Sequence, residues 1–365
     1  MSDLVAAIGV ISGTSMDGID VALIRSDGRE RVEPGPAAMF PYSDATAIAL
    51  RAVIADPERA AGPLEALERE VTRAHVAAVQ AFLDRFGIDP AEVALVGLHG
   101  QTVLHRPREG YTRQLCDGAL AAALLGIDVV CDFRSADVAA GGEGAPLVPL
   151  YHAALAAPLD KPLMMLNWGG VGNVTYLGPS GEILAFDTGP ANAPIDDFVR
   201  RRRGLAYDAN GELAASGKVD EALVADWMAD PYFDRAPPKS LDRNHFHRLT
   251  EGVERLSDAD GAATLVAFTV EATAAALRHV PDAARRWIVC GGGRLNSSLM
   301  ARLAQRLAVP TDPVEAIGYD GDAIEAQCFA YLALRSRAGL PLSLPRTTGV
   351  PQPTQGGVFW PARAS

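Results

Sequence analysis

Short apolar runs separated by glycine-rich polar loops dominate the pattern of the chain. Near the N-terminus, the apolar runs 8–11 and 19–24 flank a loop of Gly, Ser, Thr and Asp residues. Two β-rich runs joined by such a loop predict a β-hairpin with a polar tip. A second buried run begins at Leu163, enters the glycine-rich loop 169–173 and continues into another β-rich stretch. The pattern therefore predicts two hairpins of the same plan, one in each half of the chain.

A third glycine loop lies in the C-terminal part of the chain. The apolar run 287–290 predicts a strand, and Asn296 is typical of the N-cap of a helix that continues to residue 307. Three consecutive glycines separate these elements: Gly291, Gly292 and Gly293. A strand, a glycine turn and a helix N-terminus favour an anion or nucleotide site, because backbone N–H groups and the helix dipole both attract negative charge.

Helical spacing of apolar residues predicts the other long helices, 64–86, 259–280 and 322–337. His75 lies on the apolar stripe of the first of them, which indicates a packed histidine rather than a ligand. Strands alternating with helices are typical of an α/β fold. The tail from Pro341 is rich in Pro, Thr and Gly, so we expect loop or extended edge there rather than core.

The length of 365 residues exceeds a single typical core and predicts two domains. We place a crossing between them near residues 158–162. The expected N-terminal domain comprises residues 1–160 plus 341–365 and carries the first hairpin. The expected C-terminal domain comprises residues 161–340 and carries the other two glycine loops.

Charge and cysteine content exclude several classes of protein. A formal net charge of −12 argues against nucleic acid or an anionic membrane surface as a partner. No leader-like segment opens the chain, and no apolar run approaches the roughly 20 residues that span a bilayer, so we expect a cytoplasmic protein. The four cysteines are far apart and predict free thiols rather than disulfides or a zinc site: Cys116, Cys131, Cys290 and Cys328.

The first loop has the groups that hold a phosphate. Its glycine, hydroxyl and carboxylate residues are Ser12, Gly13, Thr14, Ser15, Asp17, Gly18 and Asp20. Hydroxyls and loop amides can donate to phosphate oxygens, and Asp17 or Asp20 can hold a hydrated magnesium ion. An ordinary hairpin turn explains the loop equally well when it is considered alone. It is neither a Walker A sequence nor a G-x-G-x-x-G motif that opens a helix.

The three glycine loops, in this order, resemble those of the sugar kinase, Hsp70 and actin superfamily. Within it, a set of motifs closely resembles the anhydro-N-acetylmuramic acid kinase family. These motifs are Ser12-Gly13-Thr14-Ser15-Met16-Asp17-Gly18, Leu98-His99-Gly100-Gln101-Thr102, Phe186-Asp187-Thr188-Gly189-Pro190, Cys290-Gly291-Gly292-Gly293 and Glu325-Ala326. The resemblance implies a duplicated actin-like (ribonuclease H-like) α/β fold, with two domains around a central cleft.

The resemblance also implies the chemistry of peptidoglycan recycling. ATP phosphorylates the 6-oxygen of a 1,6-anhydro sugar that bears a lactyl carboxylate, while water opens the anhydro bridge at the anomeric carbon. The implied products are N-acetylmuramate 6-phosphate and ADP. Mg²⁺ is the implied cofactor, and a homodimer is expected.

The family motifs imply roles for individual residues. Asp187 is the general base that activates the water. Arg134 binds the lactyl carboxylate, Glu325 reaches the sugar or anchors the cleft, and His99 and Gln101 shape the wall of the cleft. Asp17 holds Mg²⁺ through water, and Ser12 occupies a position that is Asp in many sugar kinases. The implied ATP-binding residues are Ser12, Gly13, Thr14, Ser15, Met16, Asp17, Gly18, Asp20, Gly169, Gly170, Gly172, Asn173, Gly291, Gly292, Gly293 and Asn296.

Three residues depart from the family pattern. Trp168 stands where an aliphatic residue is usual, Gly172 replaces a common Ala, and Ala191 replaces a Gly. None of them removes a donor or the base, so we expect activity to survive. A kinase or phosphatase of another sugar on the same fold is the alternative enzyme. An actin-like or chaperone-like ATPase switch is the alternative outside sugar chemistry.

Overall fold

The computed structural model describes residues 4–13, 18–241, 245–246 and 248–362, and the chain divides into two compact units. Unit 1 comprises Met1–Pro158 and Ala323–Ser365, and unit 2 comprises Leu159–Asp322. The first crossing between the units follows Pro158. The second lies between Asp322 and Ala323, whereas the sequence analysis placed it at residue 340.

Both units are mixed α/β. In chain order, the strands are β1 (Val5–Ser12), β2 (Ile19–Ser26), β3 (Val32–Phe40), β4 (Leu95–Arg106), β5 (Tyr111–Leu115), β6 (Val129–Cys131), β7 (Leu163–Trp168), β8 (Val171–Leu177), β9 (Ile183–Pro190), β10 (Trp287–Cys290), β11 (Thr311–Pro313) and β12 (Val358–Trp360). The helices are α1 (Asp44–Ile54), α2 (Pro57–Ala61), α3 (Glu65–Phe86), α4 (Gly118–Leu125), α5 (Ser135–Ala139), α6 (Pro149–Leu155), α7 (Asn192–Arg203), α8 (Glu212–Ala215), α9 (Glu221–Met228), α10 (Arg248–Gly252), α11 (Asp258–Ala274), α12 (Ser297–Leu307), α13 (Ile324–Arg337) and α14 (Pro345–Thr348).

The two sheets share one topology. In unit 1 the strand order is β12-β6-β4-β1-β2-β3, with β5 paired to β4, and in unit 2 it is β11-β10-β7-β8-β9. In unit 1, β1, β2 and β3 form an antiparallel meander, and β1, β4 and β6 are parallel. In unit 2, β7, β8 and β9 repeat the meander, and β7, β10 and β11 repeat the parallel set. The predicted duplicated α/β fold is therefore confirmed.

Helix α13 belongs to unit 1 because two strand glycines let it pack against the sheet. A Cβ on Gly9 of β1 would collide with the backbone oxygen of Ala326, and a Cβ on Gly97 of β4 would collide with that of Phe329. The backbone of α13 thus lies directly on β1 and β4, and most of the helix is buried. This close packing joins residues 323–337 to the first sheet, a contact between distant segments that the local sequence pattern did not reveal.

Helix α11 is the core helix of unit 2. It packs among the buried side chains of β7, β9 and α12, with Leu265, Val266 and Phe268 fully buried. Within the described residues, the stretch Asp258–His279 is long and apolar enough to cross a membrane, although 83% of its apolar window is buried inside the protein. The sequence analysis predicted this helix as 259–280 but did not recognise that it is apolar enough to cross a membrane. Its burial explains the composition, because a helix enclosed on all sides is apolar all round.

The remaining local predictions have clear outcomes. The four cysteines are free thiols, as predicted. The tail is only partly an extended edge: β12 is an edge strand, but Leu342, Thr348 and Val350 are buried, so this segment contributes to the core of unit 1.

The arginines at the end of α7 form ion pairs with acidic neighbours, as expected of a solvated helix end: Arg200 with Asp197, Arg201 with Glu254, and Arg202 and Arg203 with Asp258.

Candidate active site

The first hairpin is formed by β1 and β2, which pair from Val5 and Ser26 as far as Ile11 and Asp20. Gly18 has no room for a side chain, since a Cβ there would lie 2.6 Å from Met39 Cγ and 3.0 Å from the Phe40 carbonyl oxygen. Asp20 is half-buried at the base of the hairpin. Four predicted ATP ligands lie outside the described residues, and their roles remain predictions: Thr14, Ser15, Met16 and Asp17.

A buried chain of hydrogen bonds holds the base of this hairpin. The Ser12 hydroxyl donates to Gln101 Oε1 at 2.7 Å and accepts from the Tyr42 hydroxyl at 2.7 Å. Gln101 Nε2 donates to the Gly13 carbonyl oxygen at 3.3 Å. His75 Nε2 lies 2.8 Å from the Tyr42 hydroxyl, and burial lowers the pKa of His75 to about 4, so the imidazole is neutral. Ser12 and Gln101 therefore use their side chains to position the loop, and His75 is packed, as predicted.

Three predicted substrate residues lie together in unit 1. Arg134 Nε donates to His99 Nε2 at 2.9 Å, and His99 Nδ1 lies 2.9 Å from the Gly100 carbonyl oxygen. Burial and the charge of Arg134 lower the pKa of His99, so His99 is a neutral acceptor. Glu325 lies in the first turn of α13, where burial raises its pKa and the charge of Arg134 acts in the opposite direction. The cluster can present one guanidinium and one carboxyl group to a ligand.

A buried carboxylate fixes the other side of Arg134. Arg134 Nη1 donates to the Gly144 carbonyl oxygen at 2.8 Å, and the Gly144 N–H donates to Asp137 Oδ1 at 2.6 Å. The hydroxyl of Thr348 donates to Asp137 Oδ2 at 2.6 Å. Because Asp137 and Thr348 are almost fully buried, they form a rigid support for the loop that holds Arg134. The C-terminal tail thus contributes to the site.

In unit 2, three polar residues form a row across the second hairpin. Asn167 on β7 is paired with Asn173 on β8, and Asn173 is paired with Asp187 on β9. Directly paired residues of antiparallel strands project from the same face of a sheet, so these side chains lie side by side. Asn173 Oδ1 is buried with no hydrogen-bond partner among the described residues. The row therefore offers one carboxylate and two amides to a ligand on this face.

Asp187 is held at several points and lies within strand β9 rather than at its end. Strand β9 continues to Pro190, and a register shift between Gly172 and Asn173 forms a β-bulge next to Asp187. Bulges commonly redirect side chains at active sites. The Leu241 N–H donates to Asp187 Oδ2 at 2.8 Å, and the Tyr232 hydroxyl donates to the Asp187 carbonyl oxygen at 2.7 Å.

The second and third glycine loops pack against each other. Gly291 has φ +73°, and a Cβ there would collide with Asn167 Oδ1 and with the carbonyl oxygen of Trp168. Asn192 Nδ2 donates to the same Trp168 oxygen at 2.8 Å, and the Asn192 N–H donates to the Gly169 carbonyl oxygen at 2.9 Å. The predicted phosphate loop 169–173 and the predicted nucleotide loop 291–293 are therefore neighbours within unit 2.

Asn296 and Arg294 stabilise the third glycine loop, residues 291–296, through contacts with its own backbone and with neighbouring elements. Asn296 caps α12, with Oδ1 accepting from the Leu299 N–H at 3.0 Å, which confirms the predicted helix start. Arg294 is buried and donates from Nη1 to the Gly291 carbonyl oxygen at 3.1 Å. It also forms ion pairs with Glu315 at 2.7 Å and with Asp322 at 2.9 Å. These contacts set the shape of the loop that is predicted to face the nucleotide.

The three departures from the family pattern meet at one place. A Cβ on Gly172 would lie 2.6 Å from Thr188 Oγ1, 3.3 Å from Trp168 Cδ1 and 3.6 Å from Ala191 Cβ. Trp168 is fully buried and donates from Nε1 to Thr273 Oγ1 at 3.0 Å. The Thr188 hydroxyl is therefore the main obstacle to the usual Ala at position 172, and the indole of Trp168 restricts the space further. Gly172 thus lies beside both Trp168 and Ala191, so the three departures share one packing site.

This packing predicts the effect of restoring the usual Ala. Gly172→Ala lowers the free energy of unfolding by about 1–3 kcal/mol, because the new methyl group overpacks the site. In a Trp168→Leu background the same change costs at least about 0.5 kcal/mol less, since the two positions are in contact. Urea unfolding of both single variants and the double variant measures this coupling. Additive effects would show that Trp168 and position 172 are independent.

Several residues of the site were not predicted: Tyr42, Asn167, Asn192, Tyr232, Lys239 and Arg294. Asn167 carried a weak signal, as the polar end of a buried strand directly before two glycines. Tyr42, Asn192, Tyr232 and Lys239 reach the site through contacts between distant segments, whereas Arg294 lies within the third loop itself. Among the described residues, no group of three or more His, Cys, Asp or Glu side chains is arranged to hold a metal ion.

Fold and site together define a class of protein. Two units repeat one five-strand plan, each with a glycine-rich hairpin, and a third glycine loop precedes a helix N-terminus beside the second hairpin. This arrangement is that of a protein with the duplicated actin-like α/β fold.

Comparison with known proteins narrows the class. Residues 5–362 match the sequence profile of the family described as anhydro-N-acetylmuramic acid kinase. A relative with that name in Rhodospirillum rubrum is 52% identical to this chain, over 98% of this chain and 94% of the relative. Another in Paramagnetospirillum magneticum is also 52% identical, over 96% of this chain and 98% of the relative. Component A of (R)-2-hydroxyglutaryl-CoA dehydratase from Acidaminococcus fermentans, a solved structure, aligns with a TM-score of 0.48 and 12% identity, over 92% of this chain and 99% of that one.

The chain belongs to the anhydro-N-acetylmuramic acid kinase family. The family and the enzyme class predicted from the motifs are thereby confirmed. Members are kinases, so a sugar and ATP are the substrate classes that this membership supports.

Proposed function

We propose that this chain opens 1,6-anhydro-N-acetylmuramic acid with water and phosphorylates its 6-oxygen from ATP, and that Asp187 is the general base. The position of Asp187 carries the proposal: a half-buried carboxylate beside a β-bulge, with the Leu241 N–H on Oδ2, in a row with two asparagines. A general base needs a fixed geometry relative to the proton that it removes. The contacts that fix Asp187 support this role.

The proposed reaction proceeds by one addition and one transfer. Asp187 takes a proton from water as the water oxygen bonds to the anomeric carbon, and the bond between that carbon and the 6-oxygen breaks. The 6-oxygen bonds to the γ-phosphorus of ATP, and the bond from this phosphorus to the β-phosphate bridging oxygen breaks. The products are N-acetylmuramate 6-phosphate and ADP, and the proton on Asp187 returns to solvent.

The cluster in unit 1 supplies recognition of the lactyl carboxylate. Arg134 is held through Nε and Nη1 by neutral acceptors, and Nη1 and Nη2 still have N–H groups for a carboxylate. Burial lowers the pKa of Arg134, but a guanidinium stays protonated in proteins. Glu325, beside it, is the proposed partner of a sugar hydroxyl. His99 keeps the guanidinium oriented.

The glycine loops are the proposed ATP site. Loops 12–18 and 169–173 bind the β- and γ-phosphates, and loop 291–296 faces the α-phosphate and nucleoside. Mg²⁺ in such sites is held by one or two carboxylates and by the substrate phosphates. Asp20, at the base of the first hairpin, is a half-buried carboxylate that could be one of these ligands. Asp17 remains the proposed ligand through water. When bound, Mg²⁺ neutralises charge on the transferred phosphoryl group. A cytoplasmic homodimer is part of the proposal.

A substrate panel tests this function against its alternatives. ATP consumption by the purified protein is followed with the anhydro sugar, with N-acetylmuramic acid, with glucose and without sugar. We expect ADP to form only with the anhydro sugar. ADP formation with another sugar alone would favour a different sugar kinase. ATP hydrolysis that no sugar changes would favour the ATPase switch.

A further inference from the structure

Lysine is rare in this chain. Of 33 basic residues only three are lysines, at positions 161, 218 and 239, and all others are arginines. Lys218 is exposed, but Lys239 is only 6% exposed. A buried ammonium group is unfavourable unless hydrogen bonds replace its water. The occurrence of a buried lysine in an arginine-rich chain therefore indicates a specific role.

The Lys239 ammonium is enclosed by a turn of unit 2. Nζ donates to the carbonyl oxygens of Tyr232, at 3.0 Å, and Phe233, at 3.3 Å, in the 3₁₀ helix Pro231–Asp234. It lies 4.6 Å from the centroid of the Tyr232 ring and 5.7 Å from that of Phe186, a cation–π geometry. A planar guanidinium is larger and fixed in direction, so Arg would not fit these contacts.

The same residues hold the candidate base. The Asp187 N–H donates to the Lys239 carbonyl oxygen at 3.0 Å, and the Leu241 N–H donates to Asp187 Oδ2 at 2.8 Å. The Tyr232 hydroxyl donates to the Asp187 carbonyl oxygen at 2.7 Å. The ammonium of Lys239 binds the turn that contains Tyr232. Both the Tyr232 hydroxyl and the backbone of segment 239–241 form hydrogen bonds with Asp187, so the three parts are linked to one another.

We propose that Lys239 is a positioning residue for Asp187, fastening segment 239–241 to the turn 231–234 so that the Leu241 N–H orients the carboxylate. The inference rests on the proposed function only in taking Asp187 as the base. Burial lowers the pKa of Lys239 to about 8, Arg235 and Arg278 act in the same direction, and Asp234 and Asp187 act in the opposite direction. Lys239 is therefore mainly charged at neutral pH, with its charge near the carboxylate of Asp187.

Two readouts test the role of Lys239. Lys239→Met keeps the length of the side chain and removes the ammonium, and Lys218→Met is the matched control. We expect kcat of Lys239→Met to fall at least tenfold, with KM for the sugar and for ATP within threefold of wild type. Amide hydrogen exchange at Leu241 is expected to become at least tenfold faster, while amides of β7 and β10 keep their rates. Lys218→Met is expected to match wild type in both readouts.

A second, milder variant keeps the proposal testable if Lys239→Met does not fold. Tyr232→Phe removes only the hydroxyl that donates to Asp187, and we expect a fall in kcat in the same direction without a change in KM. Unchanged Leu241 exchange in Lys239→Met, or acceleration that extends equally to β7 and β10, would overturn the proposal. The exchange result decides it even if wild type leaves the anhydro sugar unphosphorylated, which would refute the proposed function instead.

Discussion

Asp187→Asn lowers kcat by at least about 100-fold, because an amide cannot take the proton from the attacking water and general base catalysis contributes about 10²–10⁴-fold. Asn has the shape of Asp and can still accept the Leu241 N–H, so the local structure is expected to persist. The dissociation constant for ATP stays within about twofold of wild type. Steady-state kinetics with the anhydro sugar and ATP titration by calorimetry measure the two effects.

A matched substitution separates this effect from a change of charge. Asp282 is exposed in a turn of the same unit, and Asp282→Asn is expected to match wild type in kcat. If Asp187→Asn retains more than about a tenth of the wild-type rate, Asp187 is not the base.

Arg134→Lys raises KM for the anhydro sugar by about 10–100-fold, because a hydrogen bond to a charged group is worth about 1.5–3 kcal/mol and Lys lacks the fork that binds a carboxylate at two points. The variant also loses the donation from Nε to His99 and the hold of the Gly144 carbonyl oxygen. KM for ATP is expected to stay within about twofold. Initial rates across a range of sugar concentrations check this result.

A second sugar shows whether the carboxylate is the group that Arg134 recognises. 1,6-Anhydro-N-acetylglucosamine lacks the lactyl group, so wild type is expected to prefer the muramic sugar in kcat/KM and Arg134→Lys to lose most of that preference. An unchanged preference in the variant would assign the lactyl group to another residue.

Much of the fold was predictable because its signals are local. The strand–glycine–strand pattern at each hairpin and the Asn296 cap depend on neighbouring residues, and β1–β2, β7–β8 and α12 form where these signals lie. The predicted roles of Arg134, His99 and Glu325 came from the family resemblance. Their grouping in unit 1 was a matter of tertiary structure.

The rest depends on contacts between distant segments. The row of Asn167, Asn173 and Asp187 is set by strand register, and a shift of one residue would place these side chains on opposite faces. The Ser12 hydroxyl was expected at the phosphates, but it bonds to Tyr42 and Gln101, which come from separate segments of unit 1. Neither arrangement has a local sequence signal.

The oxygen that enters the product tests the proposed reaction most directly. The protein is incubated briefly with ATP and 1,6-anhydro-N-acetylmuramic acid in ¹⁸O-labelled water, and the products are examined by mass spectrometry. Product incubated in the same water without ATP corrects for exchange at the anomeric carbon. The proposed reaction predicts a sugar phosphate that carries one ¹⁸O on the sugar and none in its phosphate group. Labelled inorganic phosphate beside an unchanged sugar would contradict it.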